Sequence, residues 1–283
     1  MKLRVFCFFA ALILFVTVCN FDVYADGDDA SEEELGELHS EEALRLQEEQ
    51  KKDQYTLEQI ASMSDEELAK LQLLRPTEDE LTGSSKEVSG GHRLSETYSV
   101  YAPAVKQPNS YYCGPAATLM ALYASGVASS VSGTTTTQKQ ATLAGSAYLK
   151  TDLYGGTDTP YVASTMNYFT NRFRTWTSAQ ITSSSQYSTV QFYTRSNLDH
   201  GHAVVFCIEI KDTSYYNPPS TGTHFITGVE ITYSGSNYTD YANITLKVKD
   251  PHYNMLYFGT HTITFNDLMW AIHDFSVMNN FVY

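Results

Sequence analysis

The stretch from Gln107 to Tyr123 reads QPNSYYCGPAATLMALY and combines a polar loop with the beginning of a helix. From Pro115 onward, apolar residues recur at helical spacing, and proline is favoured in a first helical turn because its missing N–H would be unpaired there. Cys113 therefore lies at the N-terminal end of the predicted helix, where unpaired N–H groups and the helix dipole stabilise a thiolate. Because Gly114 leaves room for a substrate backbone, we predict that Cys113 is a nucleophile.

A cysteine that attacks a carbonyl needs a donor for the oxyanion that forms. Gln107 supplies a neutral amide six residues before Cys113. This spacing resembles that of papain-like cysteine peptidases. More narrowly, Gln-x5-Cys-Gly-Pro before a small, apolar helix resembles the double-glycine (bacteriocin-leader) peptidases of bacteria and their secreted, stand-alone relatives. The alternative for Cys113 is a buried cysteine that packs as a small apolar side chain at the start of a core helix.

The order of the predicted elements indicates an α+β domain over residues 96–283, with helices first and an antiparallel sheet afterwards. Helical stretches cover about 138–149 and 160–173. Strand-like runs follow; they are 203–210, 224–231, 242–249, 255–258 and 261–265, before a last short helix at 266–272. The resemblance implies a papain-like cysteine peptidase fold, in which an N-terminal helical subdomain packs on a C-terminal antiparallel sheet.

His224 is the candidate general base, because it opens a strand-like run after a Thr-Gly-Thr turn. Its distance from Cys113 in the sequence is expected, since such pairs meet in space rather than along the chain. The double-glycine peptidases carry their catalytic histidine in a similar context, His followed by an aromatic or aliphatic residue and then by Gly. The alternative is a histidine at a strand end with ordinary hydrogen bonds.

Asp250 is the candidate partner of this base. A catalytic imidazole needs an acceptor that fixes its tautomer. The double-glycine peptidases place an Asp or Asn before Pro one strand after the histidine, and Asp250 precedes Pro251 here. We therefore predict that Asp250 orients His224, with Asn254 as the reserve. The alternative is that Asp250 and Pro251 only begin a turn.

The His200-Gly201-His202 motif precedes the apolar run 203–210. In the family that the chain resembles, this position lines the substrate cleft, so we expect His202 to contact a peptide. Two histidines that are two residues apart on a strand can also share a metal ion. Gly201 and the missing acidic or thiolate partners favour a loop instead, and we predict neither a metal nor an organic cofactor.

Four cysteines are present, and Cys7 and Cys19 lie in the predicted export signal. The mature chain then keeps Cys113 and Cys207. Cys207 lies in the apolar run 203–210, where a thiol behaves as a small apolar group. Two cysteines make no disulfide framework, but a single Cys113–Cys207 bridge stays open for an exported protein.

Residues 1–25 predict a signal peptide, because Lys2 and Arg4 precede an apolar run that is too short for a comfortable membrane span. The mature chain is expected to begin near Asp26 and to be secreted or associated with the cell envelope, without a membrane segment. The near-neutral residues 96–283 offer no basic face of the kind that binds nucleic acid.

Residues 26–80 are acidic and account for the formal net charge of −14. Capping-box patterns such as Ser64-Asp65-Glu66-Glu67 predict helices there, but the apolar residues are too few for an independent core. Residues 81–95 form a flexible linker. We expect residues 26–90 to act as a pro-region or docking arm that inhibits the enzyme intramolecularly, or alternatively to tether it to a partner.

The resemblance implies a cysteine peptidase that acts on a peptide or protein substrate. Cys113 attacks the carbonyl, His224 takes the thiol proton and later protonates the leaving amine, Asp250 holds the imidazole, and Gln107 with the Cys113 N–H stabilises the oxyanion. Two other classes fit the same residues. One is a catalytically silent peptide-binding module on this fold, and the other is a transglutaminase-like acyltransferase.

Overall fold

A computed structural model describes residues 45–46, 62–67, 95–171, 176–210, 215–216, 222–234, 240–273 and 280–283. The predicted signal peptide, residues 1–25, lies outside the described residues. The same holds for most of the acidic segment, residues 26–80, and for the linker except Ser95. Within the ranges that the structure describes, no helix is long and apolar enough to cross a membrane.

The described part of residues 95–283 contains six α-helices, named here in chain order. They are α1 (Cys113–Ala124), α2 (Thr136–Ala144), α3 (Thr151–Tyr154), α4 (Thr159–Thr170), α5 (Tyr187–Asp199) and α6 (Phe265–His273). A capping box between Thr135 and Gln138 begins α2, and Pro160 lies in the first turn of α4. Both features satisfy or remove N–H groups that would otherwise be unpaired at a helix start.

The described strands form one sheet, and all their pairings are antiparallel. They are β1 (Glu96–Ser99), β2 (Ser178–Ala179), β3 (Val204–Glu209), β4 (Thr223–Tyr233), β5 (Ile244–Asp250), β6 (Gly259–Thr264) and β7 (Phe281–Val282). Their order is β2-β7-β3-β4-β5-β6, and β1 pairs with the second half of β4. The predicted α+β class is confirmed, whereas residues 255–258 form a turn and not the predicted strand.

Helices cover both faces of this sheet. Along β3, Val205 and Cys207 join a core cluster with α1 and α4, whereas Val204, Phe206 and Ile208 join a second cluster with α5 and α6. This alternation is the two-residue period of a strand that is buried on both faces. Cys113 and Cys207 are not joined by a disulfide.

Helix α1 lies inside the domain, and its residues from Gly114 to Leu122 are all buried. A helix that is apolar all round needs such cover on every side. The Thr227 hydroxyl on β4 donates a hydrogen bond of 3.1 Å to the Ala117 carbonyl, which fastens the helix to the sheet. The N-terminal end of α1 is therefore held in a fixed position relative to β4.

Among the described residues of the acidic segment, Leu46 and Met63 contact the domain. Leu46 packs against the cluster that contains α1, and Met63 packs against the cluster that contains α6. The predicted capping box at Ser64 is confirmed, because the Glu67 N–H donates to the Ser64 hydroxyl at 3.2 Å and the Ser64 N–H donates to the Glu67 carboxylate at 2.8 Å.

Gly114 is packed so closely that a side chain has no room. A Cβ at this position would lie 2.2 Å from Thr157 Oγ1 and 2.4 Å from Thr157 Cβ. We predict that Gly114→Ala lowers the free energy of unfolding by about 1–3 kcal/mol through overpacking. Denaturant unfolding measures the loss, and the added substitution Thr157→Gly should recover most of it. If Thr157→Gly recovers nothing, the close contact is not the cause.

Candidate active site

Cys113 is the first residue of α1 and is partly exposed, as the Pro115 pattern predicted. The residue before it, Tyr112, accepts a hydrogen bond of 3.0 Å from the Ala116 N–H and so closes the first turn. The Tyr112 hydroxyl donates to Asp152 Oδ1 at 2.7 Å and ties the helix start to α3. Cys113, the candidate nucleophile, therefore lies at a helix N-terminus that is held by one hydrogen bond within α1 and by another to α3.

His224 and Asp250 lie side by side on neighbouring strands. His224 is the second residue of β4, Asp250 is the last residue of β5, and His224 Nε2 is 2.8 Å from Asp250 Oδ1. The Cys113 thiol lies close enough to His224 to raise the pKa of its imidazole. Because Nε2 is engaged by Asp250, Nδ1 is the ring nitrogen that remains for the thiol. The fold thus brings Cys113, His224 and Asp250 together in one place.

Electrostatics favour the charged form of both buried partners. Burial disfavours the imidazolium, but the Asp250 carboxylate and the contact with Cys113 outweigh it and raise the pKa of His224 to about 10. Burial likewise disfavours the Asp250 carboxylate, whereas the His224 charge and hydrogen bonds from His224, Tyr216 and the His252 N–H lower the pKa of Asp250. At neutral pH the pair is therefore imidazolium and carboxylate.

Asp250 is fully buried, and four donors surround its carboxylate. Oδ1 accepts from His224 Nε2 and from the His252 N–H, each at 2.8 Å. Oδ2 accepts from the hydroxyls of Tyr215 at 2.8 Å and Tyr216 at 2.7 Å. The reserve candidate Asn254 is exposed, and its N–H donates to His252 Nδ1 at 3.0 Å. Asp250 is thus the residue that contacts the base.

Gln107 is buried in the loop before α1. Hydrogen bonds to Pro251 and from Gln140 hold the main chain of this loop. The Gln107 N–H donates to the Pro251 carbonyl at 2.7 Å, and the Gln140 side chain donates to the Lys106 carbonyl at 3.0 Å. The Gln107 side chain donates through Nε2 to the Asn109 carbonyl at 2.6 Å. An amide nitrogen carries two hydrogens, so a second donor remains for an oxyanion.

Two residues, Gly114 and His202, were predicted to contact the substrate. The space that Gly114 leaves is filled by the Thr157 side chain, so the absence of a side chain there serves packing. A contact between the Gly114 backbone and a substrate stays a prediction.

His202 lies near the end of α1 that is opposite to Cys113. Its Nδ1 is 3.1 Å from the hydroxyl of Ser125, the residue that ends α1. The 12 residues of α1 separate this end from Cys113 by about 18 Å. The register explains this position, because β3 runs antiparallel to β4 and pairs Ile208 with His224, so the residues before β3 lie at the opposite end. A contact between His202 and a peptide stays a prediction.

Two further histidines of the described residues, His200 and His261, have local partners. His200 Nδ1 is 2.7 Å from the Ser196 carbonyl, and His261 Nε2 is 2.6 Å from the Tyr257 carbonyl. In the part of the chain that the structure describes, no group of three or more His, Cys, Asp or Glu side chains is arranged to hold a metal ion.

Sequence reasoning missed the tyrosines and His252 that surround Asp250. Tyr215 and Tyr216 lie between β3 and β4 in a segment without helical or strand periodicity, so their side chains had no predicted direction. His252 contributes its backbone N–H, which any residue except proline would supply. The one available signal was the adjacent pair of tyrosines in an otherwise polar loop.

A search of curated proteins finds no match to the chain. A comparison with protein families does find a match. A family model described as the Peptidase_C39 like family matches residues 100–269, which is more than half of the chain and includes Gln107, Cys113, His224 and Asp250. The chain therefore belongs to the Peptidase_C39 like family of cysteine peptidases.

Proposed function

We propose that the protein is a secreted cysteine peptidase that hydrolyses peptide bonds through Cys113, His224 and Asp250. The observation that carries this proposal is that three residues far apart in the sequence come together, with His224 bonded to Asp250 and the thiol beside it at a helix N-terminus. Membership of the Peptidase_C39 like family supports peptidase activity in general. The apolar run within residues 1–25 supports export.

The first half of the reaction forms an acyl-enzyme. In the resting site the proton of Cys113 lies on His224 Nδ1, and the thiolate sulfur bonds to the peptide carbonyl carbon, whose oxygen becomes an oxyanion. The Gln107 amide and the Cys113 N–H donate to that oxygen. When the C–N bond breaks, the imidazolium protonates the leaving amine, and a thioester remains.

The second half returns the enzyme to its starting state. His224 takes a proton from water, and the hydroxide oxygen bonds to the thioester carbon. The C–S bond then breaks, the carboxylic acid product leaves, and His224 keeps the proton beside the Cys113 thiolate. Asp250 keeps Nε2–H bonded throughout, so Nδ1 is the nitrogen that exchanges protons.

Alkylation of the cysteines tests the nucleophile. Iodoacetamide should modify Cys113 much faster than the buried Cys207, and His224→Ala should slow the reaction at Cys113, because the imidazole no longer takes the proton. Mass spectrometry of the two cysteine-containing peptides measures both rates. Cys113→Ala should remain folded and lose peptide cleavage.

Other outcomes of this test identify the alternative functions. Equal, slow labelling of both cysteines would contradict the proposal and favour a peptide-binding module. Fast labelling of Cys113 together with incorporation of an added amine into a glutamine substrate, without peptide cleavage, would favour an acyltransferase.

Gln107 provides a separate prediction about the oxyanion. Gln107→Ala should lower kcat by roughly ten- to a thousandfold, with a smaller effect on KM, because the amide bonds an oxygen whose charge develops only in the transition state. Steady-state cleavage of a peptide substrate measures this. The matched control is Gln140→Ala, which removes the same kind of amide from the neighbouring contact with the Lys106 carbonyl and leaves the Gln107 side chain in place. Unchanged turnover in Gln107→Ala would remove this residue from the mechanism.

The acidic segment is proposed to restrain the enzyme intramolecularly through residues 26–90. Support comes from Leu46 and Met63, which pack against the two core clusters. We predict that Leu46→Asp with Met63→Asp releases the segment and speeds both labelling at Cys113 and peptide cleavage. Comparison with a chain that begins near Arg93 measures the full effect. If all three forms react at one rate with similar melting temperatures, the segment has another role, such as tethering.

A further inference from the structure

We propose that Tyr215 and Tyr216 are positioning residues that keep Asp250 ionised and directed at His224 through both halves of the reaction. This inference rests on the proposed function for its catalytic meaning. The coupling between the tyrosines, Asp250 and His224 is a property of the folded protein that is measurable without turnover.

The two hydroxyls donate to the same oxygen. Tyr215 and Tyr216 reach Asp250 Oδ2 at 2.8 Å and 2.7 Å, while Oδ1 serves His224 and the His252 N–H. A carboxylate offers about four lone-pair sites, and these four donors fill them. Rotation of the carboxylate would break all four hydrogen bonds, so Oδ1 stays directed at Nε2.

Each tyrosine ring is itself held in place by another ring. The Tyr215 ring stacks on His261 of β6 with centroids 4.1 Å apart, and the Tyr216 ring stacks on Tyr257 with centroids 4.4 Å apart. Tyr216 also meets the edges of His224 at 6.2 Å and His252 at 5.7 Å. Burial, followed by the Asp250 charge, raises the pKa of both hydroxyls, so they remain protonated donors.

The need for these donors follows from the proton transfers. His224 carries a positive charge only while it holds the proton from the thiol or from water. When it releases that proton, Asp250 becomes a buried anion without an ionic partner, and such a group takes up a proton unless hydrogen bonds compensate. Tyr215, Tyr216 and the His252 N–H supply this compensation, so the carboxylate does not take the proton that must reach the leaving amine.

The groups that face His224 determine how its pKa changes when a tyrosine hydroxyl is removed. These groups are Cys113, Asp250, Tyr216 and His252. His252 accepts the Asn254 N–H at Nδ1. Removal of the Tyr215 or Tyr216 hydroxyl leaves the Asp250 carboxylate with fewer hydrogen bonds to stabilise its negative charge. The carboxylate then favours the imidazolium more strongly, which raises the pKa of His224 and makes it a weaker general acid.

The experiment measures the protonation of His224 by ¹⁵N NMR in the full mature chain. In a Cys113→Ala background the thiol no longer raises the pKa of His224, so the titration falls at lower pH. Tyr215→Phe and Tyr216→Phe should each raise its midpoint by about one pH unit. In the enzyme with Cys113 intact, each should lower kcat by roughly tenfold with KM nearly unchanged.

The matched control is Tyr257→Phe, which removes a hydroxyl from the ring that stacks on Tyr216 and leaves the four hydrogen bonds to Asp250 in place. Its His224 midpoint should equal that of the parent. If both Asp250-bonded tyrosines can be replaced without moving the midpoint, the inference is wrong even where the enzyme cleaves peptides. If the midpoint moves but the parent cleaves no peptide, the proposed function fails and the coupling stands.

Discussion

The buried ion pair between His224 and Asp250 is the interaction on which the arrangement of the site depends. Both side chains are almost fully covered, and their separation is 2.8 Å. Two charges in such a place cost several kcal/mol of desolvation each unless their remaining hydrogen-bonding sites are satisfied. The tyrosine hydroxyls and the His252 N–H satisfy them on Asp250, and the Cys113 thiol favours the imidazolium. The Cys113 thiol is therefore part of what compensates the buried charges.

The fold brings the nucleophile to this pair through α1. The helix is buried along its length, and Thr227 fastens it to β4. Strand β4 also carries His224. The distance between thiol and imidazole is consequently set by helix-to-sheet packing, which is rigid because protein interiors are densely packed. Gly114 contributes to the same rigidity, since its missing side chain lets Thr157 close against the helix start.

Several parts of this arrangement were predictable because they follow local chemistry. Pro115 and the apolar spacing after it predicted the start of α1 and the position of Cys113, and the apolar runs predicted most of β3, β4 and β5. His224 and Asp250 were found through a resemblance, because only pairing across strands brings them together. The position of His202 at the far end of α1 was not predictable, since no local pattern tells which end of an antiparallel strand faces a helix N-terminus. Tyr215 and Tyr216 lie in an aperiodic segment, where sequence predicts no side-chain direction.

The hydrogen bond from the Gln107 N–H to the Pro251 carbonyl has a consequence for how such an enzyme diversifies. It joins the loop that carries Gln107 to the turn that follows Asp250, and both partners are main-chain groups. Side chains on either loop can therefore change without breaking the link, provided that residue 107 is not proline. The spacing between the two loops is set by the backbone and does not depend on the identity of the side chains around it.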